Sequence, residues 1–404
     1  MASAVLHIKD SYYFEVPKFL WSVQHQDKAD FPDVWIRLDP DFQLWEAARF
    51  YPEYARLRGA DVKSFEDLRH AYTDWKSDHD HAGKSFAAFL EEQADREWFQ
   101  QNLSQGSFAA DWQAAQRVAG DLTAYRSDQS IKWAPEKVAG YNRALSGKIL
   151  IPQPFGTLRN LYEPESGLCI SKFMVVEVVV ACVLFVLFTW LAKRVSTAER
   201  PKGRLWNLLE GFVVFIRDQV ARPAIGDHDA DQFAPLLLTA FFFVLGCNLS
   251  GMIPWVGAPT GSWGVTLALA AVTFATVIVF GMIKFGPIGF FLNQIPGMDL
   301  PIWIAVVIKP VILGIELLGL CIKHAVLSIR LLANIVAGHL VLLAIMLMAF
   351  SLEGALSPTW PITAIIAVLG STAFSCLELF VAVLQAYIFT FLSALFIGAA
   401  IHHH

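Results

Sequence analysis

The sequence predicts an all-α polytopic membrane protein that carries a soluble helical extension at its N-terminus. Three observations predict it. Apolar residues fill 55% of the chain and its mean hydropathy is +0.46, above the range of soluble globular domains. The excess begins only after residue 172, in runs long enough to cross the ~30 Å hydrocarbon layer. Two of those runs, 311–352 and 362–401, contain no turn cluster. As helices each spans about 60 Å, twice the thickness of that layer.

Residues 1–145 are mixed and polar and read as the soluble helical extension. Segments 65–75, 84–101 and 109–122 have helical spacing, and no motif in them carries chemistry. Asp78-His79-Asp80-His81 reads as a solvated loop rather than a metal site. The N-terminus lacks a charged segment followed by an apolar one, so no signal peptide is expected, and its acidic residues argue against a transit peptide. Residues 146–171, with Pro152, Pro154, Gly156, Pro164 and Gly167, read as a linker.

The membrane domain is expected over 172–401. A first span at 172–192 holds one acid, Glu177, and is followed at once by Lys193, Arg194, Arg200, Lys202 and Arg204. Cationic flanks face the cytoplasm, which places the N-terminus outside and the C-terminus inside. In 205–221, Trp206, Leu209, Phe212, Val213, Ile216 and Val220 form one face opposite Asn207, Glu210, Arg217 and Asp218. That pattern predicts an amphipathic helix lying on the membrane surface. Spans follow at 232–254 and 263–284, joined by a cytoplasmic connection at 285–300 to a pair of long tilted antiparallel helices, 301–352 and 361–401. The count is five membrane helices, with a turn at 353–358 between the last two.

The net charge of −5 averages a solvated domain with a greasy one, and no basic patch points to nucleic acid. Cys169, Cys182, Cys247, Cys321 and Cys376 form no CxxC pair and read as small apolar filler, so neither a disulfide framework nor a metal or cofactor site is expected.

The informative residues lie inside the long helices. Glu316, Lys323 and Arg330 repeat every seven positions and so share a face that drifts by about 20° per step. Asn334 follows one turn later, and His339 lies on the opposite side. Glu378 and Gln385 share a face of the second helix. An arginine in mid-membrane costs at least ~2.5–3.5 kcal/mol and cannot escape by losing its proton. Snorkelling to the surface does not account for Arg330, which is far from either end of its apolar run. Folding the hairpin about Pro358 sets Arg330 level with Gln385, and His339 level with Glu378. The second pair joins an acid to an imidazole, groups able to pass protons near neutral pH.

Ser328-Ile-Arg330-Leu-Leu-Ala-Asn334-Ile-Val-Ala-Gly338-His339 resembles the signature of subunit a of F-type ATP synthases. So do Leu384-Gln385-Ala386-Tyr387-Ile388-Phe389 and Asn248-Leu-Ser-Gly-Met-Ile-Pro254, in collinear order. The segments Arg217-Asp-Gln-Val-Ala-Arg-Pro-Ala-Ile-Gly226 and Asp231-Gln-Phe-Ala-Pro-Leu-Leu-Leu238 are similar to bacterial members. The resemblance implies that Arg330 is the essential stator charge facing the rotor c-ring. It implies an outer half-channel at His339 and Glu378, an inner one at Glu316, and supporting positions at Asn334 and Gln385. It further implies peripheral-stalk b subunits and the lipid bilayer as partners, the cell inner membrane as location, and no ATP chemistry in this chain, which has no P-loop. Family members reach their first span much sooner, so the extension is a departure.

Two other classes compete. A secondary ion transporter also uses intramembrane charges, but such folds often show inverted repeats, and none is evident in this sequence. An intramembrane protease would need His324 and Ser328 as base and nucleophile, one turn apart.

Overall fold

The computed structural model describes residues 10–401 except 60–61, 82, 197–202, 254, 295–301 and 352–359. The chain divides into two compact units, Ser11–Ser171 and the part from Lys172 onward, which also takes up residues 1–10.

Helices α1 (Pro40–Arg58), α2 (Phe65–Lys76), α3 (Gly106–Ala119) and α4 (Pro135–Leu145) account for much of the extension. Their ends follow from local chemistry. Asp39 accepts the Asp41 N–H ahead of Pro40, and Gly59, at φ +91°, terminates α1. Ser64 caps α2 through the Asp67 N–H. The core between them is aromatic: the Trp112 ring lies 5.1 Å from Phe50 and 4.6 Å from Phe99.

The expected linker at 146–171 is structured instead. It forms β2 (Lys148–Leu150), β3 (Phe155–Leu158) and β4 (Pro164–Leu168). β2 pairs antiparallel with β1 (Tyr13–Glu15), so the two ends of the extension close on each other. β3 and β4 form a hairpin in which Gly156 faces Gly167. The glycines that read as punctuation are there because the strands approach too closely for side chains: a Cβ on Gly167 would collide with the Phe155 carbonyl oxygen, and one on Gly156 with Cys169 Sγ.

The second unit holds, among the described residues, five helices long and apolar enough to cross a bilayer. α5 (Lys172–Ser196) exposes Val178, Val183, Phe185 and Val186. α6 (Arg204–Phe215) buries Trp206 and Leu209. Where one amphipathic helix is expected, the chain widens into a π turn at Ile216–Ala221 before the short α7 (Arg222–Ile225). The turn buries Ile216, Val220 and Ala221, while Arg217 and Arg222 both bind the Asp218 carboxylate on its outer side. α8 (Ala230–Gly251) and α9 (Trp263–Phe285) are the next spans, followed by the short α10 (Pro287–Asn293).

α11 (Ile302–Ser351) has 50 residues and α12 (Trp360–Ile401) has 42. At lengths of about 75 and 63 Å, neither can stand upright in a bilayer. The turn expected between them, part of the connection at 285–300, and His402–His404 lie outside the described residues.

α12 packs against α8, α9 and α11. Its buried face carries Ala382, Ala386, Ser393, Ala394 and Gly398, small residues that let helices approach in lipid. The closest approach is at Gly398, where an added Cβ would collide with the Ala224 carbonyl oxygen. Backbone cannot step aside as a flexible side chain can. Gly398→Val is therefore expected to cost about 1–3 kcal/mol, read as a lowered melting temperature of the detergent-solubilised protein.

Candidate functional site

The site is assembled where α11 and α12 run side by side. Arg330 is near the middle of α11, half-buried, with Ile329, Ala333 and Asn334 exposed beside it. Gln385, only 3% exposed, donates a hydrogen bond of 2.9 Å from Nε2 to the Arg330 carbonyl oxygen. The two residues are thus level, as the folded hairpin predicts, and the amide engages the backbone carbonyl rather than the guanidinium. A helical carbonyl has a second lone pair, and the glutamine uses it. Among the described residues the Arg330 guanidinium has no acid partner. This is a costly state for a permanent cation at that depth.

Glu378, 9% exposed, lies on the same face of α12 as Ala382 and Gln385. Its Oε1 is 3.8 Å from His339 Nδ1. That oxygen is buried without a hydrogen bond, and the gap is one that a bridging water or a small rotation closes. The approach depends on Gly338, because a Cβ there would overlap Glu378 Oε1. Gly338→Val is expected to push the carboxyl away from His339, a displacement that a structure of the variant will measure.

Toward the other end of α11, Glu316 and Lys323 line a cavity of about 250 Å³ together with Gln294, Leu320, Phe396 and Ala399. The seven-residue spacing brings the two charges to one hollow. Asn334 is exposed and is not joined to the Glu378–His339 pair by any hydrogen bond.

The structure also reveals a tie that the sequence reading missed. Asn248 of α8, 1% exposed, donates through Nδ2 to the Ala382 carbonyl oxygen at 3.3 Å and accepts the Thr260 hydroxyl at 2.7 Å. It locks α8 and the turn at Pro259–Gly261 to the face of α12 that carries Glu378. Its signals in the sequence were an amide inside an apolar run and its place at the head of the Asn248–Pro254 motif.

The protease arrangement does not form. His324 Nδ1 is 2.9 Å from the Leu320 carbonyl oxygen, and its ring lies between Phe274 and Phe396. The Ser328 hydroxyl bonds Thr266 instead, at 3.2 Å.

The arrangement is chemically an unneutralised cation between two separate polar clusters, in a helix pair otherwise built for lipid. The profile of the family described as ATP synthase A chain matches residues 174–398. The chain is 39% identical over 242 residues to ATP synthase subunit a of Myxococcus xanthus, covering 59% of this chain and 75% of that protein. It is 34% identical over 292 residues to ATP synthase subunit a 2 of Chlorobium luteolum, covering 68% and 82%. A third relative, ATP synthase subunit a of Anaeromyxobacter dehalogenans, is 42% identical over 208 residues, half of each chain.

Proposed function

The chain belongs to the ATP synthase A chain family, subunit a of the F-type ATP synthases, and from that premise we propose that it is the proton-conducting stator, with Arg330 dividing two half-channels. The observation that carries the proposal is Arg330, whose backbone is level with Gln385 and whose guanidinium has no acid partner among the described residues. A cation within the lipid layer gains most from an anion brought to it, and the fitting anion is a carboxylate on a rotor subunit.

Each rotor carboxyl is neutral while it faces lipid, because burial there disfavours its charge. A proton enters from outside by way of His339 and Glu378 and loads a rotor site. Rotation carries it through the lipid until the site meets the cavity at Glu316 and Lys323, where it is released. Arg330 favours the ionised carboxylate at the crossing point and repels a proton that would pass straight between the two paths. The work available is about 2.3 kcal/mol per charge for each 100 mV of membrane potential. Asn334 flanks the crossing point, and Gln385 positions the helix segment that bears Arg330.

The partners in this reading are the c-ring against α11 and α12, the b subunits of the peripheral stalk, and the bilayer. On this reading Lys193 and Lys284 mark the C-terminal ends of α5 and α9 as cytoplasmic, and the N-terminus lies outside. Inverted vesicles from cells lacking this chain test the role. ATP-driven acidification is expected to be absent and to return when the chain is supplied. Full acidification without it would refute the assignment.

A further inference from the structure

We infer that Glu177 of α5 is a further member of the outer proton path, the carboxyl that takes up protons at its mouth and passes them toward Glu378. Resting on the half-channel reading above, this adds a third helix to that path. An acid in a spanning helix is costly, and such groups face the bundle interior and mark ion pathways. Glu177 follows Lys172, the first residue of α5, by five positions, so it lies about 8 Å from the start of the helix.

Its side chain belongs to the packed face of the helix. Phe173 and Val176 on that face are buried, and Glu177 is one turn beyond Phe173. Val180 continues the face against α8, where a Cβ on Gly246 would collide with Val180 Cγ1. Glu177 Oε1 is buried without a hydrogen bond. A carboxyl oxygen in that state is stabilised by a proton or a water brought to it. Among the described residues, Asp10 and Cys247 of α8 are the titratable groups within electrostatic reach of Glu177. Asp10 Oδ1 accepts the Phe173 N–H at 3.2 Å, which sets a second carboxyl at the start of α5. The Lys172 ammonium lies against Gly257 instead, 3.1 Å from where a Cβ there would be.

Polar side chains continue from this level toward the α11–α12 pair. Asn248 follows Cys247 in α8, and its amide binds the Ala382 carbonyl oxygen and the Thr260 hydroxyl. Glu378 is one turn before Ala382 on the same face of α12. Gly261, next to Thr260, approaches α11 at Ile335, one turn before His339, where an added Cβ would be 3.4 Å from Ile335 Cγ2. The end of α8 and the turn after it thus join the neighbourhood of Glu177 to the level at which Glu378 meets His339. Glu177 takes a proton from the outer solution, gives it up toward the Glu378 carboxylate, and returns to its charged form. Its contribution is greatest when protons are scarce outside.

The test is ATP synthesis by the whole complex in liposomes at a fixed membrane potential, with the pH varied on the side of the outer path. Glu177→Gln and Glu177→Ala are expected to need a lower pH than the wild type for half-maximal synthesis and to approach its maximal rate there. Glu177→Asp keeps a carboxyl and is expected to restore much of the wild-type pH dependence. A wild-type profile in Glu177→Gln would overturn the inference. So would a loss of equal size at every pH, or a Glu177→Asp profile no better than that of Glu177→Gln, since either marks a structural role. Arg330→Ala, measured alongside, separates the two claims. Its synthesis at the wild-type rate would refute the half-channel reading, whereas its failure beside an unshifted Glu177→Gln refutes the role of Glu177 alone.

Discussion

Replacing Arg330 by alanine is expected to reduce ATP-driven proton pumping to background while ATP hydrolysis by the detached catalytic head continues. The guanidinium has no acid partner among the described residues, and on the proposed reading a rotor carboxylate supplies one. A charge-assisted hydrogen bond between it and a rotor carboxylate contributes up to about 3 kcal/mol. Losing that amount lowers the ionised rotor state at the crossing point by roughly a hundredfold. Arg330→Lys is expected to fall between the wild type and the alanine variant. Lysine keeps the charge but presents no planar fork, and in an apolar site it can release its proton. Pumping by Arg330→Ala at the wild-type rate would remove the guanidinium from the mechanism.

The second large effect is expected at Glu378 and His339. Glu378→Leu removes the only carboxyl facing His339 among the described residues and should slow pumping by about a hundredfold. General acid–base groups contribute factors of this order to proton transfer. Glu378→Gln keeps the volume and hydrogen-bonding capacity but not the titration, and should be nearly as defective. The informative variant exchanges the pair, His339→Glu with Glu378→His. Because the two side chains meet across α11 and α12 with Gly338 leaving room between them, the exchange preserves one acid and one imidazole at the same depth. Partial recovery over either single substitution is expected in acidification assays. If the exchange is no better than the singles, the two residues do not act as a relay.

The helix pair was legible in the sequence because lipid imposes simple rules. A run with no proline or turn cluster must be helical, since the backbone has no other partner. A hairpin with one clear turn then fixes which positions are level, and Gln385 beside Arg330 follows from that geometry. What the amide binds did not follow, because choosing between a guanidinium and a carbonyl requires side-chain coordinates. The Asn248–Thr260–Ala382 tie was hidden for a related reason: it joins α8 and the turn that follows it to a helix residue 134 positions on. The hairpin at 155–168 was misread as a linker. Its strands have four and five residues, and facing glycines allow their close pairing, whereas the same glycines and prolines ordinarily mark loops. The π turn at Ile216–Ala221 leaves no signature in an amphipathic pattern.

If Arg330 separates two proton paths, passive conduction through the membrane sector will show it. Vesicles are stripped of the catalytic head, and the rotor is immobilised by a covalent link to this chain. Wild-type vesicles should then hold a proton gradient, because each path ends at the crossing point. Arg330→Ala vesicles should leak, because no fixed charge bars a proton from passing between His339–Glu378 and Glu316. If the variant holds the gradient as tightly as the wild type, Arg330 is not the partition.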